Sequence, residues 1–157
     1  MLIRRAKPAD LPAVGRLGAL LIKTHHDLDP KRFIPNTPET PAGYAWFLGT
    51  QLRKRNVAVL VADDDGHVIG YAYAGVEGTD YMALRGPAGV LHDVIVAPEH
   101  RGRGVGRMLL EAALEFLRSR GAPRVVLTTA EGNERAQRVF EHAGFRRTMI
   151  EMTRELP

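Results

Sequence analysis

The fold of this chain is decided by residues 94–110, which read VIVAPEHRGRGVGRMLL. The apolar, β-branched start predicts a strand, Pro98 marks a turn, and an amphipathic helix begins near Gly104. Three glycines and three arginines lie between Pro98 and Met108, in the loop and the first turn of the helix. Glycines let the backbone approach a ligand closely, and the unpaired N–H groups of a first helical turn bind anions. The stretch therefore predicts a binding site for phosphate groups.

Two other glycine-rich folds and a plain turn are the alternatives for this loop. A dinucleotide-binding fold requires Gly-x-Gly-x-x-Gly in its first strand–helix unit and an acidic residue about twenty positions on. Here the pattern is Gly-x-Gly-x-Gly, it comes late in the chain, and Glu131 lies too far along. The Gly-Lys-Ser/Thr of an NTPase phosphate loop is absent. A plain turn does not require three arginines interleaved with three glycines.

Residues 90–146 resemble the GNAT superfamily of acetyl-CoA-dependent N-acetyltransferases. The signature of that family, Gln/Arg-x-x-Gly-x-Gly/Ala, stands here as RGRGVG at residues 101–106, and VAPE precedes it at residues 96–99. An Asn-x-x-Ala occurs at residues 133–136, and a Gly-Phe pair follows at residues 144–145. The resemblance implies an α/β fold over one domain, residues 1–157. Its mixed, centrally antiparallel sheet would splay at the acetyl-CoA site and be flanked by helices.

The resemblance also implies roles for individual residues. Main-chain groups that the splay frees on the central strand would bind the pantetheine arm and the thioester carbonyl. The amides of the glycine loop would bind the pyrophosphate, and the asparagine of the following helix would contact the pantetheine arm. The residues expected to bind acetyl-CoA are Val94, Ile95, Val96, Arg101, Gly102, Arg103, Gly104, Val105, Gly106, Arg107, Asn133, Ala136 and Phe140.

Phe140 is a departure from the family. Many relatives carry a tyrosine at this position, four residues before the Gly-Phe pair, as the acid that protonates the leaving thiolate. Phenylalanine has no proton to give. A thiolate with a pKa near 8.5 is fairly stable at neutral pH, so water or another side chain could complete the step.

His92 and Asp93 are the expected catalytic residues, because they lie on the central strand where many relatives carry a glutamate-containing pair. An amine with a pKa near 10.4 is neutral in only about one molecule in 2,500 at pH 7, which costs roughly 4.6 kcal/mol. Histidine ordinarily titrates near pH 6.5, so it suits proton abstraction near neutrality. The alternative is a strand histidine packed under a helix.

The remaining pattern predicts the other elements and an acceptor pocket. Three prolines and little periodicity predict a loop over residues 24–38, which in relatives helps to build that pocket. Two carboxylates and two histidines there would suit a cationic amine. A metal site is less favoured, because neighbouring side chains diverge and no second ligand cluster accompanies them. The residues expected to bind the acceptor are His26, Asp27, Asp29, Phe33 and Tyr81. Strands are predicted at 2–5, 57–62, 67–76, 88–96, 124–129 and 146–154, and helices at 11–22, 41–55, 104–120 and 133–142.

Composition bounds the class of protein. The chain has no cysteine, which excludes disulfides, thiolate metal sites and a cysteine nucleophile, and favours a reducing cytoplasm. No apolar run approaches the ~18 residues that span a bilayer, so no membrane partner is expected. The formal net charge of +4 is interpreted as attraction for an anionic cofactor, not for nucleic acid, because no recognition motif accompanies the arginines. A homodimer is possible.

The sequence thus predicts an enzyme that moves an acetyl group from acetyl-CoA to a primary amine of a small molecule or peptide, without a metal. The alternative is a catalytically weak CoA-binding module of the same fold, with a binding or regulatory role, which Phe140 favours.

Overall fold

The computed structural model describes residues 1–157 and contains a five-stranded sheet flanked by helices. The strands lie in the order β1-β2-β3-β4-β5, antiparallel from β1 to β4, and β5 runs parallel to β4. The elements in chain order are β1 (Leu2–Arg5), α1 (Leu11–Leu28), α2 (Thr40–Gln51), β2 (Val57–Asp64), β3 (His67–Glu77), β4 (Ala88–Val96), α3 (Val105–Ser119), β5 (Val125–Val126) and α4 (Glu134–His142). The α/β class and the mixed, centrally antiparallel sheet are confirmed.

Two apolar cores cover the two faces of the sheet. One core lies under α3, whose buried side chains recur at helical spacing and meet small and branched residues of β2, β3 and β4. The other core lies under α1 and α2 and includes Tyr71 and Ile95. The helices are held on opposite faces because successive strand residues point to opposite sides. No helix is both long and apolar enough to cross a bilayer.

The helix α1 runs six residues past its predicted end at Ile22 and stops at Leu28. Neither glycine nor proline occurs between Ile22 and Leu28, and the first proline after them is Pro30. The hydroxyl of Thr24 donates to the carbonyl of Leu20, which is four residues earlier along the helix. The predicted loop at residues 24–38 was therefore wrong for its first five residues.

Two predicted strands at the C-terminal side were also wrong in extent. The strand expected at residues 124–129 is confined to Val125 and Val126. The strand expected at residues 146–154 does not form, and residues 146–157 carry no regular secondary structure. The β-branched and apolar pattern is present in both stretches, but a strand also needs a neighbouring strand, and neither stretch has one along its full length.

Candidate active site

A gap opens in the sheet beside β4. The strand β5 pairs with β4 only at Gly89 and Val90, whereas β4 continues along β3 to Val96. In an antiparallel ladder, consecutive residues alternately bond to the neighbouring strand and face away from it. Because the Ala97 amide bonds to the Ile69 carbonyl of β3, the backbone groups of Val94 and Val96 face the gap.

Ile95 differs from its two neighbours. Its backbone faces β3, opposite Tyr71, and its side chain is buried in the core under α1 and α2. The expectation that Ile95 offers ligand contacts is therefore corrected. The Val96 carbonyl accepts a hydrogen bond of 3.0 Å from the Arg101 Nε atom, so Val94 and the Val96 amide remain as the free groups of the gap.

The glycine loop at residues 102–107 presents six consecutive amides that donate no hydrogen bond within the chain. Gly102 and Gly104 have φ angles of +78° and +80°, which side chains rarely adopt. A Cβ added to either glycine would meet no atom within 4 Å, so the space in front of the loop is open. Open space, unpaired amides and the first turn of α3 together fit an anionic ligand.

The three arginines of this loop have different surroundings. The Arg101 side chain holds the loop to β4 through its hydrogen bond to the Val96 carbonyl. The Arg103 Nη1 atom lies 3.1 Å from the His100 Nδ1 atom, and the Arg103 Nη2 atom lies 3.8 Å from the Asp64 Oδ2 atom. Arg107 is exposed and takes part in no ion pair. Arg101 is in no ion pair either, but of the three arginines only Arg107 has neither a hydrogen-bond partner nor an ion-pair partner in the chain.

Helix α4 begins beyond the gap. The side chain of Asn133 caps the helix, because its Oδ1 atom accepts a hydrogen bond of 3.2 Å from the Ala136 amide. The Asn133 Nδ2 atom makes no hydrogen bond and remains a free donor. Phe140 lies edge-on to Phe145, at 6.0 Å between ring centres, and packs against the core under α3.

A β-bulge at His92 sets the direction of the catalytic candidates. Tyr73 of β3 lies opposite Asp93, and Ala74 lies opposite Leu91, so His92 is the extra residue of β4. Without the bulge, Leu91 and Asp93 would point to the same face of the sheet. With the bulge, Leu91 enters the core under α3, while Asp93 points to the α1 and α2 side.

Asp93 is largely enclosed by tyrosines. Its Oδ2 atom accepts a hydrogen bond of 2.8 Å from the Tyr71 hydroxyl, and the Tyr44 hydroxyl lies 3.5 Å from the same atom. Its Oδ1 atom has no hydrogen-bond partner, yet it is not sealed from solvent. Burial raises the pKa of Asp93 above the usual aspartate value, although the Tyr71 hydrogen bond and the nearby His92 oppose the rise.

Helix packing places Tyr44. A Cβ at Gly18 of α1 would lie 2.2 Å from the Tyr44 ring, so this glycine makes the room that the ring occupies. Burial and the charge of Asp93 raise the pKa of both Tyr44 and Tyr71. Both hydroxyls therefore keep their protons and donate to the carboxylate.

His92 lies at the rim of this tyrosine cluster with its side chain 35% exposed. Its ring stacks on Tyr73 at 4.8 Å with 21° between the planes. Its Nε2 atom is 3.3 Å from the Glu77 Oε1 atom. The other oxygen of Glu77 accepts a hydrogen bond of 3.0 Å from Arg85, which holds the carboxylate in place. His92, the candidate proton acceptor, is thus held by Tyr73 on its ring face and by Glu77 at its Nε2 atom.

A family model described as "Acetyltransferase (GNAT) family" matches residues 22–145. The chain belongs to the GNAT acetyltransferase family. It is similar to an L-methionine sulfoximine/L-methionine sulfone acetyltransferase of Pseudomonas aeruginosa, with 31% identity over 152 residues, 91% of this chain and 78% of that protein. It is also 38% identical over 97 residues to a mycothiol acetyltransferase of Thermobispora bispora, which is 59% of this chain and 31% of that protein. The chain thus spans about a third of the length of that relative.

Solved structures share the GNAT fold. A tetramutant of a Bacillus halodurans protein superposes with a TM-score of 0.80 and 25% identity, covering 100% of this chain and 99% of that one. An aminoglycoside N-acetyltransferase in complex with CoA superposes with a TM-score of 0.72 and 22% identity, covering 99% and 93%. At 22% identity, the similarity to the aminoglycoside N-acetyltransferase concerns the fold alone.

The acceptor residues expected for this GNAT chain are scattered. Asp27 lies on α1 and pairs with Lys23 at 2.6 Å, and Asp29 caps the end of the helix. The His26 ring bonds to the Phe33 carbonyl at 2.8 Å. Each of these polar groups thus has a partner within α1 or in the connection that follows it. Tyr81 lies in the β3–β4 connection with its side chain 79% exposed.

Three tyrosines near the reactive end of the GNAT site were missed as site residues at the sequence level. One signal was available, because β3 alternates aromatic and small residues in GYAYAG at residues 70–75, which places two tyrosines on one face. Nothing local distinguished the third, whose approach depends on packing. The missed residues are Tyr71 and Tyr73 of β3 and Tyr44 of α2.

Proposed function

We propose that this chain is an acetyl-CoA-dependent N-acetyltransferase that acts on a primary amine of a small molecule or peptide. The observation that carries the proposal is a continuous row of candidate ligand groups. The row starts at the six unpaired amides of residues 102–107, follows the open edge of β4, and ends at His92 and Asp93. An elongated ligand with a phosphate-rich end fits this path. Acetyl-CoA would supply the activated acetyl group at the end near His92.

The residues of the gap have separate tasks in this proposal. The amides at residues 102–107 and the free Arg107 would hold the pyrophosphate, because they are donors without partners. The Val94 backbone and the Val96 amide would orient the pantetheine arm and polarise the thioester carbonyl. The Asn133 Nδ2 atom, which the helix cap leaves free, would donate to the same arm.

His92 would take the proton of the attacking amine. It lies at the rim of the site, and Tyr73 and Glu77 hold its ring. Asp93 would assist from the neighbouring position, because its unpartnered Oδ1 atom reaches solvent and carries negative charge toward a cationic amine. A general base beside the amine offsets part of the roughly 4.6 kcal/mol that deprotonating an alkylamine costs at pH 7.

The acceptor is proposed to be a small molecule in the first instance. The relatives' names refer to small molecules, namely methionine sulfoximine, mycothiol and an aminoglycoside. Helix α1 and the loop after it would contribute His25 and Phe33 to the acceptor pocket. The two rings meet edge to face, with 5.1 Å between their centres. The roles of Asp27 and Asp29 in selecting a cationic amine remain predictions.

One observation favours a second candidate, a CoA-binding module with little turnover. Phe140 packs on Phe145 and offers no hydroxyl to a leaving thiolate. Measuring thiol release from acetyl-CoA with a panel of polyamines, amino acids, aminoglycosides and peptides separates the two candidates. Release that depends on an added amine supports the enzyme. Calorimetric binding of acetyl-CoA without release for any amine supports the module, and the absence of binding contradicts both.

A further inference from the structure

We propose that the acceptor is a monoamine whose other end is an uncharged, apolar group about the size of a phenyl ring, an assignment that rests on the function proposed above. The observation behind it is a cavity between helix α1 and the connection that follows this helix, which we call the α1 cavity. Four apolar side chains and one histidine line the α1 cavity: Leu21, Ile22, His25, Phe33 and Ile34.

The α1 cavity has the size and the lining of a site for a small apolar group. Its volume is about 150 Å³. An apolar protein cavity of about this volume holds a benzene molecule. The rings of His25 and Phe33 meet edge to face, and a further ring packs well against such a pair. A group much larger than a phenyl ring does not fit inside.

The α1 cavity lies along the helix from the point where α1 meets the reactive end. Gly18 makes room for Tyr44, whose hydroxyl is 3.5 Å from the Asp93 Oδ2 atom. Leu21 follows Gly18 by about one helical turn and His25 by about two, so the cavity begins about 5 Å and ends about 10 Å from that point. Burial raises the pKa of Asp93, and His25 is near enough for its charge to oppose the rise. An amine held at Asp93 can therefore place a short substituent in the cavity.

The last turn of α1 reaches the far side of the gap beside β4. A Cβ at Gly132, just before α4, would lie 3.9 Å from the Leu28 Cδ2 atom. The next residue, Asn133, carries the free Nδ2 donor that is proposed to bind the pantetheine arm. Helix α1 thus passes from Asp93 to the proposed path of the cofactor. The α1 cavity lies on the stretch of helix between these two points, where an acceptor must bind.

The chain itself holds the α1 cavity in shape. The His25 Nδ1 atom bonds to the Leu21 carbonyl at 2.8 Å, and the His26 Nδ1 atom bonds to the Phe33 carbonyl at the same distance. The Arg32 guanidinium covers the Phe33 ring at 4.9 Å. Sites for small ligands are usually formed before the ligand binds, because the cost of ordering them then falls on folding and not on binding.

The charges around the α1 cavity favour one ammonium group over two. No carboxylate lines the cavity. The carboxylates of the neighbouring stretch have partners, since Asp27 pairs with Lys23 at 2.6 Å and Asp29 accepts a hydrogen bond of 3.2 Å from the Lys31 amide. A second ammonium group would enter apolar surroundings without a counter-ion, which costs free energy. The cavity therefore selects a monoamine over a polyamine.

Steady-state thiol release tests the chemical class of the acceptor. Phenethylamine and pentylamine are the probes, and cadaverine is the control because it is pentylamine with a second ammonium group. We expect kcat/KM to be at least about tenfold higher for both monoamines than for cadaverine, the size of effect that a small change of substrate produces in an apolar pocket.

Ile34→Asp tests whether the α1 cavity is the source of this preference. The side chain is 68% exposed, so folding should be retained, and circular dichroism checks it. A carboxylate there should reduce the preference for monoamines at least about tenfold and leave acetyl-CoA affinity unchanged. Met82→Asp, at a side chain that is 90% exposed in the β3–β4 connection, is the matched control and should leave the preference as it is.

Amide NMR shifts during a titration with phenethylamine separate this assignment from the proposed function. We expect saturable shifts at residues 21–25 and 33–34 of the natural chain, and their loss in Ile34→Asp. Such shifts without thiol release for any amine would overturn the transferase but support the cavity as a site for an apolar amine. Release without a preference for monoamines, a preference that Ile34→Asp does not change, or the absence of shifts at these residues overturns the assignment.

Discussion

The two halves of the candidate site around β4 use different chemical groups to contact a ligand. On the glycine-loop side, the candidate ligand groups are backbone amides from one continuous stretch, residues 102–107. On the opposite side, they are side chains from α2, β3 and β4, namely Tyr44, Tyr71, Glu77, His92 and Asp93. A backbone site depends mainly on local conformation, whereas a side-chain site depends on how distant elements pack. Substitutions should therefore separate into those that change cofactor affinity and those that change the rate.

The largest effect on rate is expected from His92→Ala. Removing a general base typically lowers kcat/KM by about 10² to 10⁴-fold, and the ring makes no contact with the glycine loop. Acetyl-CoA affinity should be nearly unchanged in calorimetry, and the pH profile of the rate should lose the limb that depends on the base. The matched control is His67→Ala at the exposed start of β3, which should do neither. A His92→Ala enzyme with the natural rate and pH profile would assign the base to Asp93 or Glu77 instead.

The largest effect on cofactor affinity is expected from Gly104→Val. A β-branched residue at a φ of +80° is strained, and its side chain would enter the open space in front of the amides. We expect a loss of about a hundredfold in acetyl-CoA affinity, or ~2.7 kcal/mol.

Gly66→Val is the control for Gly104→Val. Gly66 lies in the β2–β3 turn with a φ of +85° and equally open surroundings, so it carries the same backbone strain away from the site. It should lose stability by a similar amount and keep acetyl-CoA affinity. If both variants bind acetyl-CoA as the natural chain does, the glycine loop is not the phosphate site.

The contrast between the two sides explains how much could be predicted from sequence. The strand, the glycine loop and the start of α3 were predicted nearly to the residue, because glycine and β-branched residues act on the backbone where they stand. The same reasoning could not place Tyr44, which reaches Asp93 only because Gly18 lets α2 approach α1. The bulge at His92 was not visible either, since it depends on the pairing of β3 with β4.

The errors in the predicted elements have one physical origin. Whether a stretch becomes a strand, a helix or a loop depends on the residues around it and not only on its own residue types. The residues at 146–154 include the apolar and β-branched types that favour a strand, yet no strand of the same chain lies beside them. Residues 24–28 were predicted as loop because the stretch up to Pro38 has three prolines and little periodicity, but they continue α1. All three prolines lie after Leu28, so they do not interrupt the helix.

Glu77→Gln tests how much the side chains around His92 contribute to the rate. The substitution keeps the shape of the residue but removes the charge that lies between His92 and Arg85. We expect kcat to fall about tenfold, which is less than the roughly 10²-fold minimum for losing the base itself, while acetyl-CoA affinity stays the same. Glu115→Gln, at an exposed helical ion pair, is the matched control. An unchanged kcat and pH profile would show that His92 needs no support from Glu77.

A smaller effect concerns stability and arises from Asp93. Burial raises the pKa of this carboxyl, so between its unfolded and folded pKa values the folded chain binds more protons than the unfolded chain. This group's contribution to stability is therefore full below the unfolded pKa and falls as pH rises through that window. Urea unfolding of the natural chain and of Asp93→Asn across the acid range should differ by this slope. Parallel curves would show that Asp93 titrates alike in both states.

The smallest effect is expected from Phe140→Tyr, which tests the departure of this chain from its relatives. If the thiolate leaves unaided, a hydroxyl at this position should change kcat less than twofold, because a thiol with a pKa near 8.5 is already a good leaving group. The ring packs on Phe145, and a tyrosine there keeps that contact, so the variant should fold normally. Phe145→Tyr adds a hydroxyl to the partner ring and serves as the control. A tenfold or greater gain in kcat for Phe140→Tyr alone would mean that protonation of the leaving group limits the natural chain. The slow step would then lie on the cofactor side of β4, and the base at His92 would no longer be the group on which the rate depends most.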